Sequence, residues 1–189
     1  MEQGETPGAA RGNGRPSYGG SGVQTEIYWV HDFQPGRLAV MPCPQGGEWL
    51  EDEIRFLANL DVHVLVSLLT RDDALECELT DESELCGRFG LEYFSFPIED
   101  HQVPRSITDV AAFVDTLAER LARRNNIAIH CLAGIGRSGL LAACLLTTAG
   151  FSPQQAFDKL SRARGFSAPE TEQQREWVID FADSHGFGA

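Results

Sequence analysis

The stretch HCLAGIGRSG, residues 130–139, sets a thiol at Cys131 and a guanidinium at Arg137, with Gly134 and Gly136 between them. Together these groups can hold a phosphate against a nucleophile. Arg137 offers a planar fork matched to two oxygens of an oxyanion, which lysine cannot reproduce. The glycines let the segment Leu132, Ala133, Gly134, Ile135, Gly136 turn successive N–H groups inward as a nest for an anion. Ser138 can donate a hydrogen bond to the sulfur, and His130 can brace the loop through its ring nitrogens. A cysteine and an arginine at this separation arise readily by chance, and a free cysteine is often a small buried hydrophobe. The full set of residues placed between a strand and a helix is much harder to obtain by accident.

Positioning that set falls to the flanking elements. IAIHC, residues 127–131, is a short apolar strand, and RSGLLAACLLTTAG reads as a helix stopped by Gly150. Open parallel sheets bind ligands beyond the carboxyl ends of their strands, where Cys131 falls. The N-terminus of the following helix adds unpaired N–H groups and a positive dipole end. A cysteine at such an end beside an arginine is favoured as the thiolate.

Around this junction the chain alternates strands and helices. IYWVHDF and RLAVMP read as two strands joined through Gln34, Pro35 and Gly36, followed by a helix between Gly47 and Leu60. VHVLVSLL, residues 62–69, has the continuous aliphatic content of a strand buried on both faces. ALECELTDESELCGRF predicts one or two short helices with Thr80 as a cap, and LEYFSFPI, residues 91–98, a strand ended by Pro97. SITDVAAFVDTLAERLARR predicts a long helix with Ser106 and Asp109 as its start signal. Two more helices close the chain, the first capped by Ser152 with Pro153 at its first position. The expected fold is α/β, a central mostly parallel sheet with helices on both faces.

Composition narrows the function classes. The net charge of −13, with Lys159 the only lysine, excludes nonspecific nucleic-acid binding and requires any anionic substrate to be drawn by a local site. LLAACLL, residues 140–146, is the longest strongly apolar stretch and is too short to span a bilayer. Residues 1–23 are rich in Gly, Pro and Ser and are expected to form a disordered tail, without a secretory signal, before a single domain over 24–189. The five cysteines form no C-x-x-C pair, which suits reduced thiols in a reducing, cytoplasmic compartment.

HCLAGIGRSG resembles the active-site loop of the cysteine-dependent protein tyrosine phosphatases, and residues 26–187 resemble their small dual-specificity branch, especially the compact kinase-associated phosphatase type. The resemblance implies the compact dual-specificity phosphatase fold, Cys131 as nucleophile, Arg137 as phosphate clamp, and no cofactor or metal. It also implies a general acid on a separate loop. In FPIEDHQVP the family pattern Pro-x-x-Asp selects Asp100, with Glu99 as its competitor. ETEQQ at the last helix matches the place of a water-positioning glutamine, which the spacing assigns to Gln174, with Gln173 adjacent. The N-R-Y element of the larger tyrosine-specific enzymes is missing, and the loop lacks the lysines typical of phosphoinositide phosphatases. Arg105 is read as a surface charge. The implied partner is a phosphorylated protein or peptide acted on by a monomer, without nucleic acid or membrane.

Overall fold

The computed structural model describes residues 24–184. The expected tail at 1–23 lies outside these residues, as does the end of the expected domain at 185–189.

The sheet has five strands in the order β1-β2-β5-β3-β4. They are β1 (Tyr28–Asp32), β2 (Arg37–Pro42), β3 (Val64–Ser67), β4 (Glu92–Ser95) and β5 (Ile127–Cys131). β1 runs antiparallel to β2 through the tight turn predicted at Gln34–Gly36, and the other pairs are parallel. β5 is therefore central, with Cys131 level with Pro42 of β2 and His130 level with Ser67 of β3.

Side-chain alternation divides the core into two layers. Leu38, Val40, Val64, Val66, Ile127, Ile129 and Cys131 face α4 (Ile107–Ala122), α5 (Arg137–Thr148), α6 (Pro153–Arg164) and α7 (Glu172–Ser184). Ala39, Met41, Leu65 and Ala128 face α1 (Leu50–Asn59) and α3 (Glu82–Arg88). Val110, Val114, Leu117 and Leu121 of α4 fall on one helical face and are buried, each contributing about 1.5–3 kcal/mol. The mostly parallel sheet covered on both faces is the fold expected from the alternating pattern.

Local differences have local causes. The strand predicted over 62–69 pairs only from Val64 to Ser67, because Leu68 and Leu69 already lead toward a short helix, α2 (Arg71–Glu76). That helix starts before the predicted acidic stretch. Thr70 caps it reciprocally, accepting from Asp73 N at 3.1 Å while Asp73 Oδ2 accepts from Thr70 N at 3.1 Å. Thr80 is not a cap: α3 begins after Asp81, whose side chain makes no capping bond. Ser106 and Ser152 cap α4 and α6 as predicted, and Ser152 completes a reciprocal pair with Gln155.

Candidate active site

Cys131 ends β5 and is buried, with its Sγ 3.5 Å from Ser138 Oγ. The six positions from Leu132 to Arg137 then turn the chain into α5. Gly134 has φ +70, and a Cβ there would sit 2.4 Å from the Met41 carbonyl carbon, so conformation and space both demand glycine. Gly136 is less confined: a Cβ would fall 3.1 Å from side-chain atoms of Gln174 and Glu170, which would have to give way by a few tenths of an ångström.

Outside donors fix which way the loop peptides point. The Leu132 carbonyl accepts from Cys43 N at 3.1 Å, that of Ala133 from Arg164 Nη2 at 3.0 Å, and that of Gly134 from Arg164 Nε at 2.8 Å. The Ile135 and Gly136 carbonyls accept from Gly139 N and Leu140 N as α5 begins. With its carbonyls turned outward, the loop offers its N–H groups to an anion.

Arg137 is 1% exposed. Its Nη1 donates to Asp73 Oδ2 at 2.7 Å and to the Ile98 carbonyl at 2.9 Å. Nε and Nη2, the pair of nitrogens along one edge of the guanidinium, have no hydrogen-bond partner among the described residues. Asp100 Oδ1 lies 3.0 Å from Nη2, at ion-pair distance though out of line for a hydrogen bond. One edge is thus anchored and the other is presented for bidentate contact with an oxyanion. Burial acts to raise Asp73, but Arg137 and the Thr70 amide outweigh it, and the carboxyl is held below its usual value.

The loop after β4 brings Asp100 to Arg137 and leaves Glu99 exposed. Ile98 is the hinge of this placement: its N–H donates to the Leu68 carbonyl while its own carbonyl receives Arg137. His101, at φ +57, lies with Nε2 3.5 Å from Asp100 Oδ2 and Nδ1 3.7 Å from Glu170 Oε2. Arg105 is exposed. Gln174 is fully buried and Gln173 exposed, so the two candidates from the sequence separate. Gln174 Oε1 accepts from Thr171 N at 3.2 Å and its Nε2 donates to the Gln102 carbonyl at 3.4 Å, which seats its amide between the acid loop and Gly136.

His130 faces away from the loop, into the layer beneath the sheet, with Nε2 3.1 Å from Glu82 Oε1. Sequence reasoning missed Asp73, Glu82 and Arg164. Arg164 was legible only as a basic residue at a helix C-terminus, while nothing local marks Asp73 or Glu82 among the many acidic residues near them.

The other cysteines differ from Cys131 in setting. Burial, then Cys77 at 3.9 Å, pushes the Cys43 thiol up to about 12. Burial and then Glu82 push Cys86 up to about 12, and full burial holds Cys144 well above the ordinary thiol value. Among the described residues no group of three His, Cys, Asp or Glu side chains gathers to hold a metal ion.

A family model described as "PTP-SAK: Swiss Army Knife protein, DSP-PTPase phosphatase domain" matches residues 27–178. Cyclin-dependent kinase inhibitor 3 of Rattus norvegicus is 34% identical over 134 residues, covering 70% of this chain and 61% of that protein. Its Homo sapiens counterpart is 32% identical over the same shares. The chain therefore matches less than two thirds of the length of these relatives. Among solved structures, kinase associated phosphatase with its catalytic site cysteine replaced by serine superposes with a TM-score of 0.77 at 24% identity, over 87% of this chain and 97% of that one, a likeness of fold. Loop, fold and family model agree, and the chain belongs to the small dual-specificity branch of the cysteine-dependent protein tyrosine phosphatases.

Proposed function

We propose that this protein is a protein phosphatase of the tyrosine or dual-specificity type that works through a phosphocysteine on Cys131. The observation that carries the reading is the division of Arg137: Nη1 is bound by Asp73 and the Ile98 carbonyl, while the buried Nε and Nη2 edge has no hydrogen-bond partner among the described residues.

In the first step the Cys131 thiolate attacks phosphorus, the bond from phosphorus to the ester oxygen breaks, and Asp100 gives its proton to the departing oxygen. Arg137 and the N–H groups of Leu132 to Gly136 hold the equatorial oxygens through the transition state. Asp100 beside Nη2 suits a group that meets the leaving oxygen at the edge of the phosphate site. In the second step Gln174 places a water, Asp100 takes its proton, the new oxygen bonds to phosphorus and the sulfur leaves as thiolate. Ser138 hydroxyl, 3.5 Å from the sulfur, donates to the thiolate at its departure. Neither step calls on a metal or organic cofactor.

The substrate is a phosphorylated protein or peptide, and the name of the curated relatives makes a phosphorylated kinase a natural first candidate. The monomer is the working unit. A reducing, cytoplasmic setting suits five unpaired thiols, and among the described residues no helix is long and apolar enough to cross a membrane. The test is hydrolysis of an aryl phosphate in EDTA by wild type, Cys131→Ser and Asp100→Asn. The reading expects turnover lost in the first variant and strongly reduced in the second. A wild type that binds vanadate but turns nothing over would make the loop a recognition site instead.

A further inference from the structure

We propose that the phosphate site of this chain selects phosphopeptides with a basic side chain next to the phosphorylated residue, and that Glu170 at its mouth is the main determinant of that choice. This names the substrate class within the phosphatase reading and rests on it.

Glu170 stands between two fixed points. Pro169 before it is buried against the start of α5, its Cα 3.3 Å from where a Cβ on Gly139 would lie. Thr171 after it is tied into the first turn of α7 by a reciprocal pair: its N–H donates to Gln174 Oε1 and its Oγ1 accepts from Gln174 N, both at 3.2 Å. Held in this way, Glu170 Oε2 comes within 3.1 Å of the position a Cβ on Gly136 would take, while the side chain stays 47% exposed. The carboxylate therefore borders the phosphate loop and remains open to a ligand.

Acidic residues alone mark nothing, but these border Arg137, which is 1% exposed with Nε and Nη2 unpartnered among the described residues. That edge and the loop N–H groups draw the phosphate; what surrounds them chooses the rest of the substrate. Asp100 and Glu170 approach His101 from two sides, at 3.5 Å from Nε2 and 3.7 Å from Nδ1. Whatever its protonation, one imidazole cannot offset both carboxylates, and Glu99 beside them is exposed.

Basic groups on the same segments are directed elsewhere or already balanced. Arg105 lies beyond buried Pro104, next to the cap of α4, and Arg175 is engaged with Ser167 and the Phe157 ring. On α2, Arg71 and Asp72 are both exposed and opposite in charge, and Asp73 is committed to Arg137. The mouth is thus negative around a positive floor. Acidic neighbours of the phosphorylated residue meet Glu170 and Glu99 in repulsion, whereas an arginine or lysine meets them in attraction, each surface pair being worth up to about fivefold. The net charge of −13 acts in the same direction over longer range.

The test compares kcat/KM for peptides of one sequence carrying phosphotyrosine or phosphothreonine between two arginines, two glutamines or two glutamates, with an aryl phosphate as the reference without flanks. For whichever phosphorylated residue wild type hydrolyses, the arginine peptide should exceed the glutamate peptide about 10-fold at low salt, and the gap should shrink at about 1 M ionic strength. Glu170→Gln should narrow that gap about threefold to fivefold. A purely structural role at the start of α7 would instead lower all substrates together and leave the ratio unchanged. A gap below about twofold in wild type, a preference for glutamate, or an unchanged ratio in folded Glu170→Gln overturns the proposal. Should Glu170→Gln fail to fold, the wild-type ratio and its salt dependence decide the matter. Wild type active on aryl phosphate but indifferent to the flanks, or inert toward every peptide, overturns this proposal alone, whereas wild type inert toward all the substrates overturns the phosphatase reading and the proposal with it.

Discussion

Arg137 Nη1 stands 2.7 Å from Asp73 Oδ2, a contact that ties the first residue of α5 to a short helix 64 positions earlier in the chain. Thr70 fixes the same carboxylate from the other side through the reciprocal cap of α2. The orientation of the guanidinium is therefore built into the fold before any phosphate arrives, which is the kind of preorganisation that electrostatic catalysis requires.

Asp73→Asn keeps the shape of this anchor and removes its charge. We expect kcat/KM for an aryl phosphate to fall about 10-fold, with weaker inhibition by phosphate because Arg137 is less well aimed. Steady-state kinetics with phosphate as competitor checks this.

The same contact predicts a pH effect on stability. The Asp73 carboxyl is depressed in the folded state, so its contribution is present above the ordinary carboxylate value of about 4 and is lost as pH falls through the lower folded value. Melting temperatures of wild type and Asp73→Asn should differ at neutral pH and converge as the solution is acidified below that range.

Arg164 carries the carbonyls of Ala133 and Gly134 and lies over the Tyr28 ring with its guanidinium carbon 3.8 Å from the centroid. Arg164→Ala leaves two loop carbonyls without those donors, which should cost about 2–3 kcal/mol of stability and weaken phosphate binding. Denaturant unfolding and phosphate inhibition measured on one preparation separate the two effects.

Gly134→Ala meets two obstacles, the positive φ and the Met41 backbone 2.4 Å from the new Cβ. Strain alone is worth about 1–3 kcal/mol, and because β2 cannot yield without disturbing the sheet, the loop must move. The expected outcome is a folded but destabilised protein with little turnover, read by calorimetry and an aryl phosphate assay.

Asp100→Asn should discriminate between substrates. An acid that protonates the leaving oxygen matters little for a good leaving group and contributes about 10²–10⁴-fold for a poor one. A plot of kcat/KM against leaving-group pKa that steepens in the variant is the expected result, and parallel lines would return the role to Glu99 or another donor.

Much of this was legible in the sequence because it is local. HCLAGIGRSG states its own geometry, since the glycines, the strand end and the helix start are neighbours along the chain. The same holds for the caps at Ser106 and Ser152. The approach to Arg137 separated Asp100 from Glu99, and burial separated Gln174 from Gln173, which spacing had ranked in the same way without being able to place either. Asp73, Glu82 and Arg164 were not legible. Each acts across the sheet or between helices, where contact depends on packing rather than spacing, and each sits among similar charges. The early start of α2 went unseen for a related reason: Thr70 with Asp73 is a cap whose acidic partner is short, and the six-residue helix it opens has only Ala74 and Leu75 as apolar residues, neither of them buried.

The proposed mechanism has Cys131 carry the phosphoryl group between two displacements. The most direct measurement is rapid acid quenching of wild type and Asp100→Asn during turnover of an aryl phosphate, followed by mass spectrometry of the peptide containing Cys131. A phosphorylated Cys131 is expected in both proteins and none in Cys131→Ser. Turnover at an undiminished rate in Cys131→Ser, or phosphate trapped on a different residue, would contradict it.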